Sequence, residues 1–405
     1  MGSKQVQVTQ SSAFAQGKKK FKKKKGITNV PNYPLLFSEG QLGKLRLKNR
    51  ALVSSLTRAS ATEKGLVTDQ MRGYYKNFAR GGWGAVLSEA IYIDEKYSQG
   101  YAFQPGLANE EQADSWSSLV EGVHSEGGLI IAQLFHGGAV NQGNAWVTGS
   151  IAPSAVRPKG EQIDRYRGSG GLFQVPREIT SEEIFEVIAS FVDAAKRAKS
   201  AGFDGIELHG ANGYLPDQFL TTYTNLRSDE FGGSLENRLR FHVLTLEALR
   251  SALPDFLIGV RVSQTKVNDL DYVWPGGEKD ATVIFTALER VGVDYIHVAA
   301  HLGVSSVFDC PHSLSGLAKK HTRLPVIANG KLHDPIVAEQ VLKSQEGDFC
   351  SVGKGALADP QWPKKVKQGE APTPFIAEMV SPYATLDNYY NWSSEHTPEV
   401  FSAKA

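Results

Sequence analysis

Eight short apolar runs recur along the chain, at about 50–56, 83–90, 128–136, 204–210, 256–263, 294–300, 324–330 and 347–353. They are near-continuous in Val, Ile and Leu, the pattern of parallel strands buried on both faces. WGAVLSEA, GLIIAQLFH, DGIELHG, FLIGVRVS, DYIHVAA, LPVIANG and DFCSVGKG are the clearest. Most of the segments between them carry apolar residues at helical spacing. In TSEEIFEVIASFVDAAKRAKSAG both ends are marked: Thr180 with Glu183 three positions on predicts a capping box, and Gly202 predicts the stop. Eight strand signals alternating with helices favour a closed single (β/α)8 TIM barrel over an open doubly wound sheet. The stretch from about 137 to 178 is rich in Gly, Pro and Ser and too long for a plain connection. It predicts a long loop after strand three that covers an active site.

Composition narrows this picture. The chain has 405 residues, 41% of them hydrophobic, enough for one large barrel core. A formal net charge of +1 gives no global argument for nucleic acid or a membrane surface. No apolar run reaches the length of a membrane span, and no apolar signal core is found near the N-terminus. The two cysteines, Cys310 and Cys350, are far apart, which excludes a cysteine-rich metal or iron–sulfur site and leaves the cytoplasm as the expected compartment. Seven lysines between Lys18 and Lys25 surround Phe21. Residues 1–30 are therefore read as a disordered, solvated tail, with a nuclear signal or an anionic-surface tether left open. The barrel is expected over 31–370, and 371–405 as an extension packing on it.

In this fold the reacting groups sit at the C-terminal ends of the strands. Strand four ends in ELHGANGYLPDQFL, which brings His209, Asn212 and Tyr214 within six residues, with Gly210 and Gly213 letting the backbone turn. His and Asn can both donate to one oxygen and Tyr can deliver a proton, a set suited to a carbonyl that becomes an enolate. Gln133, at the end of strand three, offers a donor and an acceptor that could read a heterocycle edge or serve the structure. Arg261 shares parity with Gly259 and Ser263 and is predicted to face the barrel mouth, where it meets either an anionic ligand or a carboxylate such as Glu207. Asn329-Gly330 and Gly353-Lys354-Gly355 follow strands seven and eight, where barrels often bind phosphate. No GxGxxG opens a helix after a strand and no GxxxxGK[ST] is present, which argues against a Rossmann site and a P-loop.

At these residues the sequence resembles the old yellow enzyme family of FMN-containing oxidoreductases. FDGIELHGANGYLPDQFL followed by NLRSDEFGGSLENRLRF is the most specific part, and VSSLTR, QLFHGG, GVRVS and GKGALADPQWP match in order over roughly 33–370. The resemblance implies non-covalent FMN with NADPH or NADH as reductant, and reduction of the activated C=C bond of α,β-unsaturated carbonyl compounds, enones and enals. It implies that Thr57 hydrogen-bonds near the reactive flavin edge and that Ser54 and Ala90, after strand two, pack against the ring. Gln133 would bind the pyrimidine end and Arg261 would stabilise the reduced flavin. Gly330, Gly353 and Lys354 would hold the phosphate. His209 and Asn212 would hold the substrate oxygen, with Tyr214 as proton donor. The chain departs from the usual pattern at Lys354, where Arg is common, and at Phe135, often Trp. It lacks the Cys, Tyr and second His that one subgroup carries at the positions of Thr57, Ala59 and Asn212.

Two other classes stand beside this reading. A barrel glycosidase could use Glu207 and a second carboxylate, but would leave Gln133, Arg261 and the phosphate loops unexplained. A non-catalytic flavin- or phosphate-binding barrel, a sensor or scaffold, would use the same loops without the donor trio.

Overall fold

The computed structural model describes residues 33–168 and 170–396. The Lys-rich segment 1–30 lies outside the described residues. Eight parallel strands close into a barrel in chain order: β1 (Ala51–Val53), β2 (Ala85–Tyr92), β3 (Ile130–Phe135), β4 (Gly205–Asn212), β5 (Leu257–Lys266), β6 (Tyr295–Val298), β7 (Val326–Asn329) and β8 (Phe349–Val352), with β8 paired back onto β1. Each begins in one of the eight apolar runs, because a barrel strand is buried by side chains inside and by helices outside. β2, β4 and β5 extend past theirs. β2 runs further than its apolar pattern. Glu89 interrupts the run, and the strand continues through a register shift between Leu87 and Ala90 to Tyr92. Ala90, the last residue of the predicted run and expected to follow the strand, is thus inside it.

The helices take the expected places. The one over Ser181–Ser200 starts on the capping box: Thr180 Oγ1 accepts from the Glu183 N–H (3.2 Å) and Glu183 Oε2 accepts from the Thr180 N–H (2.9 Å). A cap of this kind stabilises by about 0.5–2 kcal/mol. Gly202 follows at φ +93°, a conformation that L side chains rarely adopt, and ends the helix.

Inside the barrel the residues sort by height. Leu52, Leu87, Ile131, Leu257, Ile327 and Phe349 pack into one apolar layer, joined by Leu42 and Leu47 of a hairpin formed by Gly40–Leu42 and Leu45–Leu47. Further along the strands the interior turns polar, with Gln133, Glu207, His297 and Ser351 all buried. Gly259 makes this layer possible, since a Cβ there would lie 2.0 Å from the Tyr295 ring. The long loop after β3 carries one short parallel pair, Ile151–Ala152 with Arg177–Glu178, and sends Phe173 into an aromatic cluster with Tyr101, Phe135 and Tyr214. Beyond residue 371, Met379, Leu386 and Tyr389 are buried, and the Arg58 guanidinium lies 5.3 Å from each of the Tyr74 and Tyr389 ring centres. Among the described residues no helix is long and apolar enough to cross a membrane.

Candidate active site

Strand register sets the site. His209 on β4, Arg261 on β5 and His297 on β6 share one rung of the ladder, and Gln133, Glu207 and Gly259 share the rung below. Glu207 is fully buried and accepts from Gln133 Nε2 (2.8 Å) and Tyr295 Oη (3.1 Å), with His297 Nδ1 at 2.9 Å. Burial alone would raise its pKa, but His297, then Arg261 and Gln133, hold it below the ordinary carboxylate range. His297 Nε2 continues to Ser351 Oγ at 2.8 Å. Of the two partners expected for Arg261, the direct pairing with Glu207 is thus replaced by a four-strand network that satisfies the carboxylate. Arg261 Nη2 donates to Asn329 Oδ1 at 3.3 Å, while its buried Nε has no hydrogen-bond partner.

One rung higher the chain turns. Asn212 sits at φ +64° and Gly213 at φ +87°, so two successive residues are left-handed. This sends Tyr214 back over the barrel mouth at the start of the short helix Leu215–Leu220. Its ring centre lies 4.9 Å from that of His209 and 4.5 Å from that of Phe135, and its hydroxyl is hydrogen-bonded to the Tyr101 hydroxyl. Burial, then the Arg261 charge, pushes the His209 pKa well below its ordinary value, so the ring is neutral at pH 7. Its Nδ1 is buried and unpartnered. Burial likewise raises the Tyr214 phenol, which keeps its proton at neutral pH.

On the other side of Arg261 a cleft of about 350 Å³ opens between the ends of β1, β7 and β8. Ser54, Arg261, Gly330, Gly353 and Lys354 all line it, together with Asn329. Gly330 has φ +127°, and a Cβ there would come within 2.5 Å of both the Ala300 oxygen and the Gly303 nitrogen. At Gly353 the nearest atom to such a Cβ is Leu56 Cδ2 at 3.4 Å. A wall of glycine backbone with two lysines, Lys331 and Lys354, suits a phosphate. The unpartnered Arg261 Nε at its inner end suits an electron-rich ring edge. These two features fit FMN.

The predicted residues therefore fall into two neighbouring groups, a cleft and a donor cluster. Ala90 joins the aromatic cluster of Tyr214. Thr57 is half-buried between Leu56, which lines the cleft, and the fully buried Arg58. Gln133 is engaged at both amide atoms, donating to Glu207 and accepting from Ser55 Oγ (2.7 Å), so both of its sequence readings meet a residue already tied to the barrel network. Sequence reasoning missed Tyr101, Phe173 and His297. Tyr101 and Phe173 come from loops with no spacing signal, whereas His297 stood in the run DYIHVAA as a polar interruption.

A barrel with a phosphate-fitting cleft and donors at its strand ends defines an oxidoreductase site of the flavin-dependent kind. Residues 35–372 match the NADH:flavin oxidoreductase / NADH oxidase family, and the chain belongs to that family, the old yellow enzyme family of FMN oxidoreductases. It is 36% identical over 352 residues to the NADH oxidase of Thermoanaerobacter brockii, covering 84% of this chain but 52% of that relative, so the chain spans about half that protein's length. Among solved structures it is similar to the old yellow enzyme homologue from Zymomonas mobilis (28% identity, TM-score 0.80, covering 89% of this chain and 99% of that one). It is also similar to morphinone reductase (30% identity, TM-score 0.78, covering 89% and 97%).

Proposed function

We propose that the protein is an FMN-dependent ene-reductase that takes hydride from NADPH or NADH and saturates the activated C=C bond of α,β-unsaturated carbonyl compounds. The observation that carries this reading is the ring contact of His209 and Tyr214 at the end of β4, with Asn212 at the turn between them, beside a cleft walled by Gly330, Gly353, Lys354 and Arg261. Bound FMN would supply the hydride-transfer chemistry that links the nicotinamide to Cβ of the alkene. Gly330, Gly353 and Lys354 hold the phosphate. Ser54 and Ala90 pack on the ring, Thr57 serves its reactive edge, and Gln133 its pyrimidine end. Arg261 balances the negative charge of the reduced state.

The neutral His209 imidazole and the Asn212 amide donate to the substrate oxygen, which makes Cβ more electrophilic. Tyr214 gives its proton to Cα, so hydride and proton together add across the double bond. Anaerobic mixing with NADPH or NADH tests the reading. The yellow protein should bleach, and a simple enone should restore the colour with formation of the saturated ketone. A colourless protein that cannot be reconstituted with FMN removes the proposal. A flavoprotein that bleaches but ignores enones and enals favours the non-catalytic barrel or another acceptor.

A further inference from the structure

The left-handed turn at Asn212–Gly213 needs an explanation, because a non-glycine residue at positive φ persists only where its surroundings hold it. Its strongest anchor is a buried ion pair. Gly213 N–H donates to Asp217 Oδ2 at 2.7 Å, and Lys266 Nζ donates to Asp217 Oδ1 at 2.6 Å. The two side chains are 0% and 2% exposed, and the ammonium also lies 4.6 Å from the centre of the Tyr272 ring. Burial pushes the Asp217 carboxyl up and the Lys266 ammonium down, and each shift is opposed by the partner charge. Around this pair the backbone is tied twice to the end of β5: Asn212 N–H donates to Ser263 Oγ (2.8 Å), and Val267 N–H donates to the Asn212 oxygen (3.1 Å). Gln218 Nε2 adds a bond to the Gly213 oxygen (2.7 Å). Neither charge lines the cleft, and none of the roles described above uses them.

A dry ion pair is an expensive way to stabilise a fold, and apolar residues of similar volume often do as well. What an apolar pair could not do here is accept the Gly213 N–H. We propose that the Lys266–Asp217 pair is the positioning element of the substrate-oxygen site, fixing the Asn212–Gly213 turn and through it the aim of Asn212 and Tyr214. The inference rests on the functional reading above, since it assigns the pair to the residues that hold the substrate oxygen.

The test uses the full-length flavoprotein and a phenol as probe, because a phenolate presents an anionic oxygen to the same donors. Titration followed by the flavin absorption spectrum gives the phenol Kd, and stopped-flow gives enone reoxidation. Lys266→Met should keep FMN, raise the phenol Kd at least about tenfold, and slow enone reoxidation roughly 100-fold, the scale of a misplaced reacting group. The double variant Asp217→Asn/Lys266→Met removes both charges but keeps an acceptor for Gly213 N–H, and should return the phenol Kd to within about threefold of wild type. Asp217→Leu/Lys266→Met buries an apolar pair without the acceptor and should not recover. Should Lys266→Met alone fail to fold, the comparison of the two double variants still decides. Wild-type phenol affinity in Lys266→Met, or equal affinity in the two double variants, overturns the proposal. A wild-type protein with neither flavin nor a phenol response overturns the functional reading beneath it, which is a separate and visible failure.

Discussion

The cleft at β7–β8 and the donor cluster at β4–β5 are built on opposite principles. The cleft is defined by missing side chains: Gly330 and Gly353 leave backbone in its wall, and Lys331, Lys354 and Arg261 supply its charge, with the Lys354 ammonium 5.1 Å from the Phe375 ring centre. The donor cluster is defined by side chains held from behind. His209 stands on a rung backed by the Glu207–His297 network, and Asn212 and Tyr214 hang on a turn fixed by Asp217. A glycine site tolerates change in its surroundings but not at the glycine, whereas a side-chain site depends on residues that never meet the ligand.

The largest effect should come from the donors themselves. His209→Ala or Asn212→Ala removes one donor to the developing oxyanion and should cost about 2.7–4 kcal/mol, or 10²–10³ in enone reoxidation. Phenol affinity should fall in parallel, while FMN content stays. Loss of FMN with unchanged phenol binding in the retained fraction would erase the boundary between the two regions.

Buried charge near β1 and β2 should make folding sensitive to pH in a way that a glycine cleft cannot. Glu89 is fully buried and accepts from the Arg58 and Ala59 N–H groups (3.0 and 3.2 Å), yet burial raises its pKa to about 7. A carboxyl whose folded pKa lies above its ordinary value binds its proton more tightly when folded. Its contribution is therefore full below about pH 4.5 and is lost as the pH rises through about 7, on the order of 3 kcal/mol. Glu89→Gln should flatten that part of the stability–pH curve, measured by denaturant unfolding. An unchanged slope would place the titration elsewhere.

Smaller effects belong to the cleft. Gly330→Ala sets a methyl group against backbone atoms that cannot yield, at φ +127°, and should lower stability by about 1–3 kcal/mol and release flavin on dialysis. Lys354→Ala should weaken FMN retention roughly tenfold, the loss of one charge-assisted contact, without changing the enone step on the flavin that remains. Retention at the wild-type level would move the phosphate away from Lys354.

Much of this was legible in the sequence, for physical reasons that vary by element. The strands could be read because double burial keeps their first halves almost free of polar residues, and the second strand runs two residues past the predicted 83–90, to Tyr92. The meeting of His209 and Tyr214 could be read because they fall within six residues at one strand end. Tyr101 could not be read, since its contact with Tyr214 spans 113 residues and forms only when the loops fold over the mouth. The Lys266–Asp217 pair spans 49 residues, with no periodicity to join them. Arg261 was read to the right face, but the sequence could not choose between its two expected partners, because Glu207 is satisfied by a network shared among four strands.

The central claim is that the two regions divide the reaction, with the cleft serving the flavin and the β4 donors serving the acceptor. Tyr214→Phe tests it most directly, since it removes one proton and leaves both regions otherwise intact. Stopped-flow measurement of the separate half-reactions should show flavin reduction by NADPH or NADH at the wild-type rate and enone reoxidation slowed about 10²–10⁴-fold. Equal slowing of both halves, or of neither, would contradict the division and take the proton from Tyr214.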